Sequence, residues 1–243
     1  MQPLLRALIE ANREIVSRLK GDFDLSLLRE GSVGAGGDIS KEADLLAERI
    51  FYSHLESFGT IESEESGIMG DGIPSIILDP LDGSANFASG IPYYGSSVAK
   101  LDARGELEAA AVCNFVSGEL FVKFSAETVQ CWDIHSGRTK EPLLIPDGEV
   151  GIFEKAYAHP EVAAALLEAG LKFRSPGATA LSLAYARNAA FFLFVGRSRL
   201  YDIAAGLALC EGMAVIVEED YVIVSQSKVI AEHLESIIRR SII

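Results

Sequence analysis

One stretch of the sequence reads Asp79-Pro-Leu-Asp-Gly-Ser-Ala-Asn-Phe87 and comes directly after a largely apolar segment at residues 74–78. The apolar segment predicts a strand, and Pro80 is expected to end it because proline lacks the N–H that a sheet requires. The turn that follows can aim Asp79 and Asp82 at one point. Two carboxylates held together repel each other unless a cation lies between them. The spacing therefore favours a bound metal ion, and Mg²⁺ suits such oxygen ligands.

The residues around this turn offer two further interactions. The turn exposes the carbonyl of Leu81, which could supply one more oxygen to a metal. Gly83, Ser84 and Ala85 come next and can begin a helix, whose free backbone N–H groups attract phosphate. An ordinary Asp-rich turn has the same composition. This stretch alone therefore does not decide between a phosphate site and a structural turn.

Acidic residues on both sides of the stretch favour a metal and phosphate site over a structural turn. Three carboxylates, with Glu64 among them, lie at residues 60–67, just upstream of the same strand. Asp202 lies at the start of residues 202–206, a run of small residues in which a helix can pack closely. A single acid such as Asp202 is usually a helix cap. Its combination with the other acids favours metal binding instead.

The rest of the sequence predicts helices first, then an antiparallel meander, then alternating helices and strands. Residues 4–19 show helical spacing and end at Gly21, and a second helix, capped by Asp38 or Ser40, follows the glycine-rich residues 31–37. The glycine-rich stretch is interpreted as a mobile loop. Short strands and tight turns fill residues 94–124.

Near residue 140 the predicted elements change from strands and tight turns to alternating helices and strands, which predicts two domains. Residues 1–140 form an α+β domain with two N-terminal helices, an antiparallel sheet and most of the metal ligands. Residues 141–243 form an α/β domain that supplies Asp202 and the substrate contacts, because helices alternate with strands there. The predicted fold class is therefore α+β to α/β.

Charge excludes one class of partner. The 243 residues include 35 acidic and 21 basic ones, giving a formal net charge of -14. This balance argues against nucleic acid, because phosphate backbones need clustered Lys and Arg. Most of the acids are expected only to keep the protein soluble. Carboxylates in excess can also hold hard cations, which then attract an anionic substrate.

Cysteine usage and hydropathy predict a soluble cytoplasmic protein. The three cysteines are scattered and odd in number, which argues against a disulfide framework or a zinc site and favours buried free thiols. Charged residues interrupt the N-terminal apolar pattern, so no signal peptide is expected. No uncharged apolar run reaches the roughly 18 residues that a membrane helix needs, so no membrane partner is expected.

Together these blocks resemble the inositol monophosphatase superfamily of Mg²⁺-dependent, Li⁺-sensitive phosphatases. The resemblance runs from residue 38 to residue 213, and DPLDGSANF with YDIAAG is its most specific pair. The archaeal branch, whose members often hydrolyse both inositol 1-phosphate and fructose 1,6-bisphosphate, is nearest in form. The resemblance implies a layered αβαβα sandwich of the sugar phosphatase type and a homodimer. It also implies roughly two to three Mg²⁺ per active site, with Mn²⁺ as a substitute and Li⁺ and Ca²⁺ as inhibitors.

The resemblance assigns a role to each acid. The first metal would take Glu64, Asp79 and the Leu81 carbonyl as ligands, and the second would take Asp79, Asp82 and Asp202, with Asp38 as a candidate contact of a further metal. Glu64 would also touch the attacking water. Asp44 matches the aspartate that bonds the hydroxyl of Ser84 and so orients that water.

The resemblance also implies substrate contacts and a mechanism. Gly177 and Thr179 match a segment that contacts the sugar or inositol ring, and Gly83, Ser84 and Ala85 would cradle the phosphate. A phosphate monoester is a dianion that repels an anionic nucleophile, so divalent ions are needed to neutralise it and to activate water. Positioning and charge stabilisation then supply most of the catalysis.

The match loosens near Asp202. Inositol-preferring members carry a glutamate at the position of Val195, and its loss weakens a strict inositol preference. Arg197 and Arg199 lie close by and could hold the second phosphate of a bisphosphate. A surface salt bridge is an equal alternative for either arginine.

The same site chemistry would serve other small phosphorylated metabolites. A 3′(2′),5′-bisphosphate nucleotidase and an NADP phosphatase are alternatives that the motifs do not separate from the sugar phosphatase. A non-catalytic regulator that binds sugar phosphate or metal is the alternative of another class. It would be expected to have lost a ligand or the water-orienting pair, whereas every acid of the blocks and Ser84 are present.

Overall fold

The computed structural model describes residues 1–20, 24–125, 127–145 and 148–242. Of residue 242 it describes only the backbone. Gly21, the predicted end of the first helix, lies outside this range. The described helices are α1 (Pro3–Lys20), α2 (Glu42–Leu55), α3 (Ser84–Ala88), α4 (Pro160–Glu168), α5 (Thr179–Ala184), α6 (Leu200–Leu209) and α7 (Lys228–Ile242).

The described strands form three sheets. A two-stranded ribbon consists of β1 (Glu30–Val33) and β2 (Ile39–Lys41). The large sheet has the order β10-β9-β8-β7-β6-β5-β3-β4 and is built from β3 (Thr60–Ser63), β4 (Gly67–Met69), β5 (Pro74–Asp82), β6 (Gly95–Leu101), β7 (Leu107–Asn114), β8 (Glu119–Phe124), β9 (Gln130–Asp133) and β10 (Arg138–Lys140). The small sheet has the order β12-β11-β13-β15-β14 and is built from β11 (Gly151–Glu154), β12 (Phe173–Arg174), β13 (Phe192–Val195), β14 (Ala214–Val217) and β15 (Tyr221–Ser225).

Both sheets are covered on both faces, which makes five layers. Alternate residues of a strand point to opposite faces, so Leu78 of β5 packs against α1 and α2, while Ile77 packs against α5 and α6. In the small sheet, Phe192 faces α5 and α6, and Leu193 faces α4 and α7. The order α1/α2, large sheet, α5/α6, small sheet, α4/α7 confirms the predicted αβαβα sandwich.

The small residues after Asp202 allow helix α6 to fit between the two sheets. A Cβ on Gly206 would lie 2.6 Å from the Cβ of Leu183 in α5, closer than real Cβ atoms approach. The run of small residues therefore lets α5 and α6 touch and form the central layer. Because Asp202 lies in the first turn of α6, this packing brings it close to Asp79 of β5.

Three local predictions were wrong. Strand β5 does not stop at Pro80, because the ladder to β6 skips over it and resumes at Asp82, and proline is tolerated at such an irregularity. Part of the glycine-rich stretch forms strand β1, which pairs with β2 and whose four residues are all exposed. Helix α2 is capped neither by Asp38 nor by Ser40; its cap is Lys41, whose N–H donates to the side chain of Asp44.

Two other expectations are met, the antiparallel meander and the buried free thiols. Strands β6, β7 and β8 form the antiparallel meander. The three cysteines are buried free thiols. Within the described residues, no helix combines the length and the apolar character needed to cross a bilayer. All strands of the large sheet precede residue 141 and all strands of the small sheet follow it; the division into two domains at that point stays a proposal.

Candidate active site

Three buried carboxylates meet at one end of the large sheet. Glu64 follows β3, Asp79 lies in β5, and Asp202 lies in the first turn of α6. One oxygen from each lies within 4.8 Å of the oxygens of the other two. All three side chains are buried. The residues come from three separate blocks of sequence, and the fold brings them together as predicted from the combination of acids.

Asp82 is buried next to this group and is partly committed elsewhere. Its Oδ2 accepts a hydrogen bond of 2.8 Å from the backbone N–H of Leu181 in α5. It does not belong to the 4.8 Å group of the described residues. Leu81 lies between the two acids, and its N–H donates to Asp79 Oδ1 at 3.0 Å. This bond fixes the turn that separates Asp79 from Asp82.

The electrostatics of the group fit a cation. Burial raises the pKa of Glu64 to about 7, although Arg199 opposes the rise, and Asp202 adds to it. Burial also raises the pKa of Asp79 well above its ordinary value, and the charges of Glu64 and Asp82 raise it further. A divalent ion would remove this repulsion, and carboxylate oxygens are the donors that hard cations prefer. The residues present therefore fit a metal of that kind.

Arg199 is the basic residue in direct contact with this group. Its guanidinium makes two bonds of 3.0 Å to Asp202, and its Nη1 lies 2.7 Å from Glu64 Oε1. Nη1 also lies 2.8 Å from Asp38, whose side chain is 81% exposed. Arg197, by contrast, is 80% exposed and pairs with Glu219. The two arginines of the sequence motif thus occupy different environments.

The glycine-rich loop contacts the turn that carries Glu64. Gly36 N–H donates to the carbonyl of Glu64 at 2.7 Å, and Ala35 N–H donates to that of Glu65 at 2.9 Å. A Cβ on Gly36 would lie 2.6 Å from Glu64 Cγ, so the close approach requires glycine. The predicted mobility of this loop stays a prediction.

Asp44 presents an unpaired oxygen. Its Oδ2 accepts from Lys41 N–H, while Oδ1 is buried without a hydrogen-bond partner among the described residues. Burial raises the pKa of this carboxyl to about 7, against the bond from Lys41. A buried acceptor normally has a donor, so Oδ1 can take one from water or from a hydroxyl. The hydrogen bond expected from Ser84 is therefore not present among the described residues; Ser84 is half-buried and begins α3.

The predicted ring-contact segment lies beside the phosphate turn. A Cβ on Gly83 would lie 3.0 Å from the Cβ of Ala178 and 3.3 Å from the carbonyl of Gly177. Asn86 of α3 donates to the carbonyl of Pro176 at 2.8 Å, which ties the two segments together. Thr179 is buried and begins α5.

Val195 lies away from this segment. It is 3% exposed and packs in the apolar core between the small sheet and helices α4 and α7. A buried valine at this position offers no side-chain oxygen to a ring hydroxyl.

The sequence did not point to Asn86 or Leu181, although each holds a part of the site in place. Asn86 stands within the quoted motif, so its place there was a signal that could have identified it.

The sequence profile of the inositol monophosphatase family matches residues 1–238. The chain belongs to this family. Inositol monophosphate, from which the family takes its name, is a phosphoric monoester. The family is generally metal-dependent, which agrees with the buried acidic group.

Curated relatives and solved structures agree with this placement. The chain is 35% identical over 123 residues to an inositol-1-monophosphatase of Rhizobium meliloti, covering 49% of this chain and 46% of the relative. It is 27% identical over 218 residues to the fructose-1,6-bisphosphatase/inositol-1-monophosphatase of Archaeoglobus fulgidus, covering 85% and 82%. The chain spans about half the length of the curated relatives that it matches first. The structure of an IMPase from Thermotoga maritima superimposes with a TM-score of 0.76 at 21% identity, covering 98% and 96%, and shows the same fold.

Proposed function

We propose that this chain is a Mg²⁺-dependent phosphatase that hydrolyses fructose 1,6-bisphosphate and inositol 1-phosphate by attack of water. The observation that carries the proposal is the buried group of Glu64, Asp79 and Asp202, whose oxygens lie within 4.8 Å of one another. Burial and mutual repulsion both oppose the charged carboxylates, and Arg199 offsets only part of that cost, so a divalent ion would stabilise the group further.

The acids divide the work of holding the metals. Asp79 lies between the other acids and would bridge two ions, with Glu64 and the Leu81 carbonyl on one and Asp82 and Asp202 on the other. Asp38, exposed at the glycine-rich loop, would contact a further ion. Bound divalent ions supply charge neutralisation and a more acidic water.

The protein itself orients water and phosphate. Asp44 Oδ1 is buried and unpaired among the described residues, so it can accept the proton of Ser84 Oγ or of a water held there. Glu64 would be a second acceptor for that water. The backbone N–H groups of Gly83, Ser84 and Ala85 would hold the phosphate oxygens in line with that water.

The substrate proposal rests on the surroundings of the acids. Gly177 and Thr179 lie on the segment that contacts Gly83, which suits contact with the ring of the substrate. Val195 offers no oxygen to an inositol hydroxyl. Arg199 is the proposed contact of a second phosphate, with Arg197 further out. A sugar bisphosphate fits these surroundings better than inositol phosphate alone.

The same proposal covers the ions, the assembly and the location. Roughly two to three Mg²⁺ would be bound per site, Mn²⁺ would substitute, and Li⁺ and Ca²⁺ would inhibit. The protein would act as a homodimer in the cytoplasm.

Phosphate release across a panel of substrates tests the function. With Mg²⁺ present, we expect turnover of fructose 1,6-bisphosphate and inositol 1-phosphate above that of adenosine 3′,5′-bisphosphate and NADP. Faster turnover of either nucleotide would favour the nucleotidase or NADP phosphatase alternative. Absence of turnover with all four would contradict the enzyme proposal and favour a non-catalytic binding protein.

Arg199→Ala tests the second-phosphate contact. We expect kcat/KM for fructose 1,6-bisphosphate to fall about 30-fold while that for inositol 1-phosphate stays within about threefold, because charged hydrogen bonds to a phosphate contribute roughly 2 kcal/mol. Arg197→Ala is the matched control, since Arg197 pairs with an exposed glutamate. Equal losses for both substrates would show that Arg199 serves the acids rather than the second phosphate.

A further inference from the structure

Glu154 is a buried acid that the proposed chemistry does not use. It is the last residue of β11 and is 1% exposed. Its Oε2 accepts from Gly177 N–H at 2.9 Å, and Ala178 N–H donates to the same carboxylate. Its Oε1 accepts from the hydroxyl of Ser182 in α5. A buried carboxylate with this many donors is fully engaged.

The two N–H donors belong to the proposed ring-contact segment. That segment is held from the small sheet by Glu154 and from α3 by Asn86, which donates to the carbonyls of Pro176 and Gly177 at 2.8 and 3.3 Å. The first turn of α5 contacts one of the acids proposed to bind metal, because Leu181 N–H donates to Asp82. Glu154 and Asp82 therefore fix the two ends of one short piece of chain.

The position of Glu154 beside β13 clarifies what it can do. Its register partner in β13 is Phe194, which is the neighbour of Val195. Val195 stands at the position where inositol-preferring relatives carry a glutamate. Glu154 does not replace that glutamate as a direct contact, since it is buried and its oxygens are occupied by the segment and Ser182. Any influence on the substrate must pass through the segment that it holds.

We propose that Glu154 is a positioning residue for substrate recognition: by accepting the N–H groups of Gly177 and Ala178, it sets the distance of the ring-contact segment from the phosphate turn and so determines KM for substrates with a sugar or inositol ring. This inference rests on the proposed function, because that function names the substrate the segment would contact.

Glu154→Met tests the inference, because methionine has a similar volume and cannot accept the two N–H bonds. We expect KM for fructose 1,6-bisphosphate and inositol 1-phosphate to rise about tenfold or more, since small displacements of a binding segment are costly. We expect kcat to stay within about threefold, and KM for 4-nitrophenyl phosphate, whose leaving group does not need the segment, to stay unchanged. Amide exchange of residues 174–181 should accelerate.

Two control variants separate positioning from general stability. Glu154→Gln keeps one oxygen for the segment and can donate its amide to Ser182, so KM should return close to the wild-type value. Ser182→Ala removes the partner on Oε1 and leaves both bonds to the segment, so KM and exchange of residues 174–181 should not change. If Glu154→Met does not fold, Glu154→Asp, whose shorter side chain reaches one side only, takes its place.

The outcomes distinguish this inference from the proposed function. A wild-type protein that hydrolyses none of the substrates contradicts the function, while accelerated exchange of residues 174–181 in Glu154→Met still supports the positioning role. Unchanged exchange together with unchanged KM overturns the role of Glu154 and leaves the phosphatase proposal intact. Equal increases of KM for the sugar and inositol phosphates and for 4-nitrophenyl phosphate also overturn it.

Discussion

Replacing Asp79 by Asn is expected to lower kcat for phosphate release at least about 10³-fold, which corresponds to ~4 kcal/mol of lost transition-state stabilisation. Asp79 is buried, and the charges of both Glu64 and Asp82 act on its carboxylate. Asp79 would therefore touch both metals. A neutral amide binds a hard cation far less well than a carboxylate. Initial rates with inositol 1-phosphate at saturating Mg²⁺ measure the effect.

The loss should not reflect unfolding. The Oδ1 of asparagine can still accept the 3.0 Å bond from Leu81 N–H. The substitution also removes a buried charge that Glu64 and Asp82 repel. The metal-free variant should therefore unfold at the same temperature as the wild type or higher. A well-folded variant with a rate within about tenfold of the wild type contradicts the assignment of Asp79 as the bridging ligand.

Glu64→Gln is expected to lower kcat/KM about 10²- to 10³-fold, because it removes one metal ligand and an acceptor for the attacking water. The change is otherwise small. Glutamine keeps an Oε1 that can accept from Arg199, which now lies 2.7 Å from Glu64 Oε1. The measurement is kcat/KM for both proposed substrates across a range of Mg²⁺ concentrations, where the variant should need more Mg²⁺.

Glu62→Gln is the matched control for this substitution. Glu62 lies two residues earlier, in β3, and its side chain accepts from Tyr201 at 3.3 Å, so it points to a different partner from Glu64. Its rate should stay within about twofold of the wild type, as for most substitutions outside a site. Similar losses in both variants would mean that β3 geometry, and not a metal ligand, had been disturbed.

The sequence was sufficient for the large features of the fold. The apolar run at residues 74–78 predicted strand β5, and in the structure Ile77 and Leu78 lie on its two opposite, buried faces. The order of the layers came from the resemblance to the family and not from periodicity. Strands β4 and β12 were missed because three and two residues are too few to show a pattern.

The local errors at Pro80 and at residues 31–33 have a common cause. Proline and glycine are disfavoured in strands on average. Their effect on one strand depends on whether the partner strand needs the missing bond. The ladder skips Pro80, and β2 supplies main-chain bonds to strand β1, whose four residues are all exposed. The sequence alone does not show which strand will pair with a given segment.

The site was predictable where the chemistry lies within a motif. Asp79, Asp82 and Ser84 stand in one stretch, and Glu64 and Asp202 stand in two others. The contacts of Arg199 and Glu154 were not predictable. Arg199 reaches Gly36, which is 163 residues away in the chain, and Glu154 reaches Gly177 across 23 residues. Such pairs follow from tertiary packing and leave no local pattern.

Metal add-back is the most direct test of the central claim, that buried carboxylates hold the metals of a phosphatase. The wild-type protein is treated with EDTA, and phosphate release from inositol 1-phosphate and fructose 1,6-bisphosphate is followed while Mg²⁺ is returned. The account predicts no release in EDTA and a saturable recovery with Mg²⁺. Release that continues at its full rate in EDTA would contradict it.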